Sequence, residues 1–287
     1  MKSLQKIKHR INSINSTKKI TKAMQLVATA KYGKIKNKLE DVSLYYKTVQ
    51  NVFFNLMKNS TQDIDTLLNV KAYKFEKSRN LYIIVGSDLG LCGSYNSNLI
   101  KKINEEVKGE DILIVIGSKI LSIINKNPNF HIIQTLTQIG DNPSYEIAQI
   151  ISQKIYDVLE ISWLKSVKII YTKYINAIKS EPIVEEIFPV TFSKEKEEII
   201  TDEKDKQTYE PSAEKILTTS FTLFFEASIY NALFNSKLAE TSSRRTAMEQ
   251  ASDNAEDLIE ELEHEYNNSR QSKITQEITE IVSGANK

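Results

Sequence analysis

The segment Gly86-Ser87-Asp88-Leu89-Gly90-Leu91-Cys92-Gly93-Ser94 follows a short apolar run and precedes a helical pattern. Open α/β sheets place phosphate-binding turns at such a junction. Its glycines stand four and three residues apart, which is not GxGxxG spacing, and no Gly-Lys-Ser/Thr follows to supply the lysine and magnesium-binding hydroxyl of a P-loop. Cys92 has Asp88 nearby but no His, Lys or Arg before Lys101, so it reads as a buried thiol rather than a nucleophile. A single cysteine excludes an internal disulfide and a Cys-clustered metal site, and His9, His131 and His264 are too scattered to suggest another. Glu256, Asp257, Glu260, Glu261, Glu263 and Glu265 crowd one helical stretch and read as a solvated acidic face. No catalytic residue, cofactor or metal is expected.

What remains is scaffold. The 287 residues suit one or two domains, and Lys+Arg 38 against Asp+Glu 37 leaves a formal charge of +1, which argues against a duplex nucleic-acid binder. The basic first forty residues contain one aromatic, Tyr32, so stacking on single strands is poorly supported. No run approaches the roughly 18 apolar residues needed to span a bilayer, so no direct membrane insertion is expected. The basic segment imitates an organellar presequence, but it uses lysine and keeps its helical rhythm past any plausible cleavage site. Membrane-surface binding by this helix stays open.

Leu4, Ile7, Ile11 and Ile14 step by three and four, and after a weak patch the rhythm resumes at Met24, Val27, Ile35, Leu39, Val42, Tyr46, Val49, Phe53 and Leu56. This predicts a helix over 3–58. A second seam runs through Phe224, Ala227, Phe234, Leu238, Thr241, Arg245, Met248, Ser252, Ala255, Ile259, Leu262 and Tyr266 to Ile274, Ile278 and Ile281, with no Gly or Pro before Gly284. At 1.5 Å per residue the helices reach roughly 80 and 105 Å, so the second should outrun the first. Antiparallel pairing within the chain is the simplest arrangement, with homodimerisation as the alternative.

Between them, strands at 81–86, 112–117, 130–134, 167–174 and 183–190 are expected, with helices at 96–108, 118–126 and 144–159 between the first four. The resulting fold class is α/β: a long antiparallel coiled coil of the terminal helices plus a Rossmann-like domain with a mostly parallel sheet. The expected organisation is a coiled-coil helix at 1–60, the α/β domain at 75–192, a charged connector at 193–210 and the C-terminal helix at 211–287.

The residues themselves resemble a known family. The run Ile11 to Ala28, the turn Asp88-Leu89-Gly90-Leu91-Cys92-Gly93 with Asn96 and Asn98, the motifs Ile116-Gly117-Ser118-Lys119, Gly140-Asp141-Asn142-Pro143-Ser144 and Arg244-Arg245-Thr246-Ala247-Met248, and the end Arg270 to Ala285 are similar to the gamma subunits of F-type ATP synthases. The resemblance implies a non-catalytic shaft that carries rotation between a proton-driven membrane ring and a hexamer of alternating alpha and beta subunits. It implies those subunits, the epsilon subunit and the c-ring as partners, and a peripheral place on the cytoplasmic side of a bacterial inner membrane. Carried over by motif, Met24, Arg244, Gln271, Thr275 and Glu280 match positions that couple shaft to catalytic subunits. Tyr209, Glu210 and Pro211 match the region near the membrane ring and epsilon. Leu89 departs from the basic residue usual in that turn. The small and polar Thr241, Arg245, Ser252 and Ala255 are expected to keep rotational barriers low inside a sleeve. The readings from other classes are a doubly wound nucleotide-binding enzyme and a coiled-coil adaptor.

Overall fold

A computed structural model describes residues 4–59, 79–161, 164–190 and 213–285. Among the described residues the elements run in the order α1 (Leu4–Asn59), β1 (Arg79–Val85), α2 (Tyr95–Glu106), β2 (Ile112–Ile116), α3 (Ser118–Ile124), β3 (His131–Leu136), α4 (Tyr145–Ile161), β4 (Leu164–Tyr174), β5 (Ser180–Phe188) and α5 (Ala213–Ala285). The chain forms two compact units, one of residues 1–30 with 244–287 and one of residues 31–243.

In the larger unit the strand order is β3-β2-β1-β4-β5. The first four strands are parallel, with Leu81 opposite Ile112 and Val167, and β5 runs antiparallel to β4 with Val167 opposite Phe188. Because side chains alternate across a strand, Leu81, Ile83 and Val85 point to one face and Tyr82 and Ile84 to the other. The first set packs with α4 and with a phenylalanine cluster of α1 and α5; the second packs with Leu99 and Ile103 of α2 and Ile120 and Ile124 of α3. Covering on both faces explains why β1 and β2 read as uninterrupted apolar runs. The last strand begins at Ser180 and ends at Phe188, earlier than the apolar run 183–190 suggested. It is an edge strand, and an edge tolerates the missing N–H of Pro182.

Within this unit α1 and α5 lie antiparallel. Phe53 stacks on Phe224 at a 4.8 Å centroid distance and an 11° interplanar angle. Farther along, Ile35, Leu39 and Val42 meet Phe234 and Leu238, and Ser43 Oγ donates to Asn231 Oδ1.

In the smaller unit the remaining parts of the same helices pair with the same polarity: Thr21 and Ser252 hydroxyls bond at 2.8 Å, and Lys18 Nζ lies 2.9 Å from Glu256. This ion pair joins the basic and acidic stretches by charge. Where the rhythm resumes after the weak patch, the expected seam is misplaced at Val27, however. Thr21 and Ala28 are buried, whereas Val27 is 54% exposed. Ile7, Ile14, Thr21, Ala28, Ile35, Val42, Val49 and Leu56 form an unbroken seven-residue series, and a strict heptad fixes which side faces the partner whatever residue occupies it. On α5 the matching series runs through Met248, Ser252, Ala255 and Leu262, all buried.

Candidate functional site

The carboxyl ends of β1, β2 and β3 are where an open α/β sheet would hold a ligand. Here that position is taken by the chain's own carboxylate. Asp88, in the turn after β1, accepts hydrogen bonds through Oδ1 from the Ser118 amide (2.9 Å), the Ser118 hydroxyl (3.0 Å) and the Gln138 amide (2.9 Å), and through Oδ2 from the Ile139 amide (2.9 Å). The Ser118, Gln138 and Ile139 N–H groups are thereby satisfied within the molecule. Burial pushes the Asp88 pKa up, but hydrogen bonds from Ser118, Gln138 and Ile139 outweigh it and hold the carboxyl below its ordinary value. Gln138 adopts φ 61°, in the left-handed region, in the turn whose successive amides point at the carboxylate.

Two glycines let the turns come this close. Gly117 has φ 111°, and a Cβ there would lie 2.7 Å from the Gly86 carbonyl; a Cβ on Gly86 would lie 2.5 Å from Ile120. The cavity left among Gly86, Asp88, Gly117, Ile139, Lys237 and Glu240 is about 20 Å³, room for about one water. A nucleotide does not fit this arrangement.

Helix α5 covers that edge. Ser236 Oγ donates to the Val85 carbonyl at 3.0 Å, and the Tyr95 hydroxyl bonds to Ser236. Cys92, 3% exposed, packs with Tyr95, Ala239 and Tyr174 and receives a hydrogen bond from Asn96 Nδ2 at 3.5 Å. The buried, packed thiol agrees with the sequence reading. His9, His131 and His264 are all exposed, and among the described residues no group of three or more His, Cys, Asp or Glu could hold a metal ion.

A second polar cluster lies between α1 and the β4–β5 edge. Glu185 accepts from the Tyr46 hydroxyl (2.7 Å) and the Tyr171 hydroxyl (2.9 Å), and Gln50 Nε2 donates to Tyr46. Burial first and the Glu185 charge second push both tyrosines well above their ordinary range, so they serve as hydrogen-bond donors and not as acids.

The residues singled out by motif do not converge on one pocket. Met24 and Arg244 are half-buried in the smaller unit, while Gln271, Thr275 and Glu280 lie on a stretch, 271–284, exposed at every position. Glu280 accepts from Gln276 Nε2 at 2.9 Å, and the Thr275 carbonyl accepts from Thr279 Oγ1 at 2.8 Å. Tyr209, Glu210, Pro211 and the connector 193–210 lie outside the described residues. The small seam residues are corrected in role: Ser252 and Ala255 are buried in the pairing of α5 with α1, and Thr241 is buried with its hydroxyl donating to Lys237 O at 2.8 Å. Arg245 is half-buried. Ser252 and Ala255 belong to the interior of the helix pair, so a low barrier against a surrounding sleeve does not follow from them. Sequence reasoning missed the anchoring role of Asp88. Its position two residues beyond the strand-ending glycine was the available signal, but its partners Gln138 and Ile139 are some fifty residues away.

A family profile described as ATP synthase matches residues 3–287. The ATP synthase gamma chain of Mycoplasmopsis synoviae is 40% identical over 99% of both chains, and that of Heliobacterium modesticaldum is 34% identical over 99% of both. Among solved structures, the central stalk and c-ring of Tetrahymena thermophila mitochondrial ATP synthase matches with a TM-score of 0.60 at 25% identity, covering 81% of this chain and 99% of that one. The rotor of the Euglena gracilis mitochondrial enzyme matches in fold with a TM-score of 0.66 at 17% identity, covering 94% of this chain and 98% of that one. With its two long helices, its mostly parallel sheet and a match along its whole length, the chain belongs to the ATP synthase gamma chain family.

Proposed function

We propose that the chain is the rotor shaft of a bacterial ATP synthase, passing rotation between a proton-driven membrane ring and a hexamer of alternating alpha and beta subunits without itself catalysing a reaction. The observation that carries this reading is the end of α5. Over 271–284 every residue is exposed, including Ile274, Ile278, Ile281 and Val282 at 47 to 71%. A helix of about fifteen residues is marginal in water on its own, and an apolar stripe at helical spacing is suited to a surrounding collar. The occupied phosphate position around Asp88 supports a non-catalytic role. The central stalk and rotor neighbours support a place between a ring and a catalytic head.

Met24 and Arg244, half-buried on the helix pair, and Gln271, Thr275 and Glu280, on the exposed end, are then the residues that meet the alpha and beta subunits. Tyr209, Glu210 and Pro211 approach the c-ring and the epsilon subunit. No described helix is long and apolar enough to cross a membrane, which suits peripheral attachment at the cytoplasmic face of the inner membrane through those partners.

Co-purification with tagged alpha and beta subunits, and ATP-driven proton pumping by the reconstituted complex, test the reading. The isolated chain should show no magnesium-dependent ATP turnover. Met24→Lys puts a cation on the shaft, where a new ion pair acts as a brake on the order of 1–3 kcal/mol if partly buried. The complex should assemble and pump fewer protons per ATP hydrolysed. Unchanged rates, or failed assembly, would remove Met24 from the coupling contact; absence of co-purification would remove the rotor reading itself.

A further inference from the structure

We infer that residues 236–242 of α5 form a torque-transmitting joint between the helix pair and the sheet, an inference that rests on the rotor reading. About two turns of this helix reach three separate connections at the carboxyl edge of the sheet. Ser236 Oγ bonds to the carbonyl of Val85 at the end of β1, and takes a hydrogen bond from Tyr95 beyond the β1 turn. Lys237 Nζ lies 3.8 Å from Asp141 in the β3–α4 connection and 3.2 Å from Glu240 on its own helix, with side-chain exposures of 12% for Lys237 and 3% for Glu240. Ser242 Oγ donates to the carbonyl of Ala177 in the β4–β5 turn at 3.0 Å. Between these, Ala239 is fully buried against Cys92 and Tyr95, its small side chain allowing close approach.

Helix α1 reaches the same edge. Lys31 Nζ lies 2.6 Å from Asp141, and the Tyr32 hydroxyl bonds to that of Tyr174 at the end of β4. Asp141 therefore receives a lysine from each helix.

The reason to assign torque to this edge is directional. Apolar contact resists separation but is non-directional, so the phenylalanine cluster by itself constrains twist of a helix about its axis only through shape. Hydrogen bonds weaken steeply with misalignment. Bonds from one short helical segment to three connections that are far apart in sequence oppose rotation of the helix against the sheet in either sense. The crevice that a nucleotide-binding relative of this fold would leave open is used here as a socket.

The test uses the whole complex reconstituted in proteoliposomes, with wild type as the control for the rotor reading. Asp141→Ala/Ser236→Ala/Ser242→Ala removes polar bonds and keeps the apolar core. The joint predicts normal assembly, ATP hydrolysis close to wild type, and protons pumped per ATP reduced by about two- to threefold. A purely structural role would lower both activities together with the amount of complex. A second set, the single variants Asp141→Ala, Ser236→Ala and Ser242→Ala, removes one connection at a time. Each should assemble and lower pumping per ATP by a smaller factor than the triple variant, which keeps the test open even if the triple variant fails to assemble. An unchanged ratio in the assembled triple variant, or in all three assembled single variants, overturns the joint. A wild-type complex that never pumps overturns the rotor reading instead.

Discussion

The same two helices are held together by different chemistry in the two units. In the larger one Phe53, Phe54, Phe221, Phe224 and Phe225 form a continuous aromatic cluster that merges with the sheet core. In the smaller one the larger Ile7, Met248 and Leu262 alternate with Thr21, Ala28, Ser252 and Ala255, and a hydroxyl pair stands where an aliphatic layer would ordinarily sit. Burying a Phe side chain is worth about 1.5–3 kcal/mol, whereas a hydroxyl pair nets about 1 kcal/mol. A polar pair inside a seam does less for stability than for register: the Thr21 hydroxyl also donates to the Lys18 carbonyl on its own helix, but any slip takes from the buried Ser252 hydroxyl its partner across the seam. The first region is built as a fixed body and the second as a slim, register-locked pair.

The largest expected effect tests the fixed body. Phe224→Ala removes a ring stacked on Phe53 in a fully packed site and should destabilise by about 3–5 kcal/mol in urea unfolding. A loss under about 1 kcal/mol would mean that the cluster collapses around the gap and that the contrast with the other unit is overstated.

Asp88→Asn comes next. The amide cannot accept from all the donors that converge on the carboxylate, and its own N–H groups would face them, so a loss of about 2 kcal/mol is expected at neutral pH. The folded-state pKa lies below the unfolded value of about 4. The stabilisation is therefore fully present above that value and is lost as pH falls through the folded pKa. Thermal unfolding across pH 7 to about 3 should show the gap between wild type and variant narrowing with acid; a gap that widens would reverse the assignment.

Smaller effects probe the slim pair. Thr21→Ala strands the Ser252 hydroxyl and should cost about 1 kcal/mol, whereas Thr21→Val/Ser252→Ala, with neither hydroxyl left, should be near neutral or stabilising. A double variant as damaged as the single one would argue that packing, not the bond, matters there. Smallest of all, Lys18→Ala should change stability by less than about 0.5 kcal/mol and the remainder should vanish in salt, since the Lys18–Glu256 partners are 31% and 59% exposed.

Helix existence and sheet class were legible in the chain itself, since both follow from local periodicity. Ile35, Leu39, Val42, Phe53 and Leu56 repeat at coiled-coil spacing, and the runs at 81–86 and 112–117 are too short and too apolar for anything but buried strands. The longer reach of α5 followed from the same counting, and the family motifs identified the function that periodicity alone does not name. Where hydrophobicity fades the pattern loses its phase, which is why Val27 was placed in a seam that belongs to Thr21 and Ala28. Only the tertiary structure decided what meets what. Asp88 and Ile139 share a hydrogen bond across fifty-one residues, and Lys31, Asp141 and Lys237 converge from three elements. Such contacts leave no periodic trace, because a hydrogen bond or ion pair constrains positions in space while a sequence pattern records only the neighbours along one helix or strand.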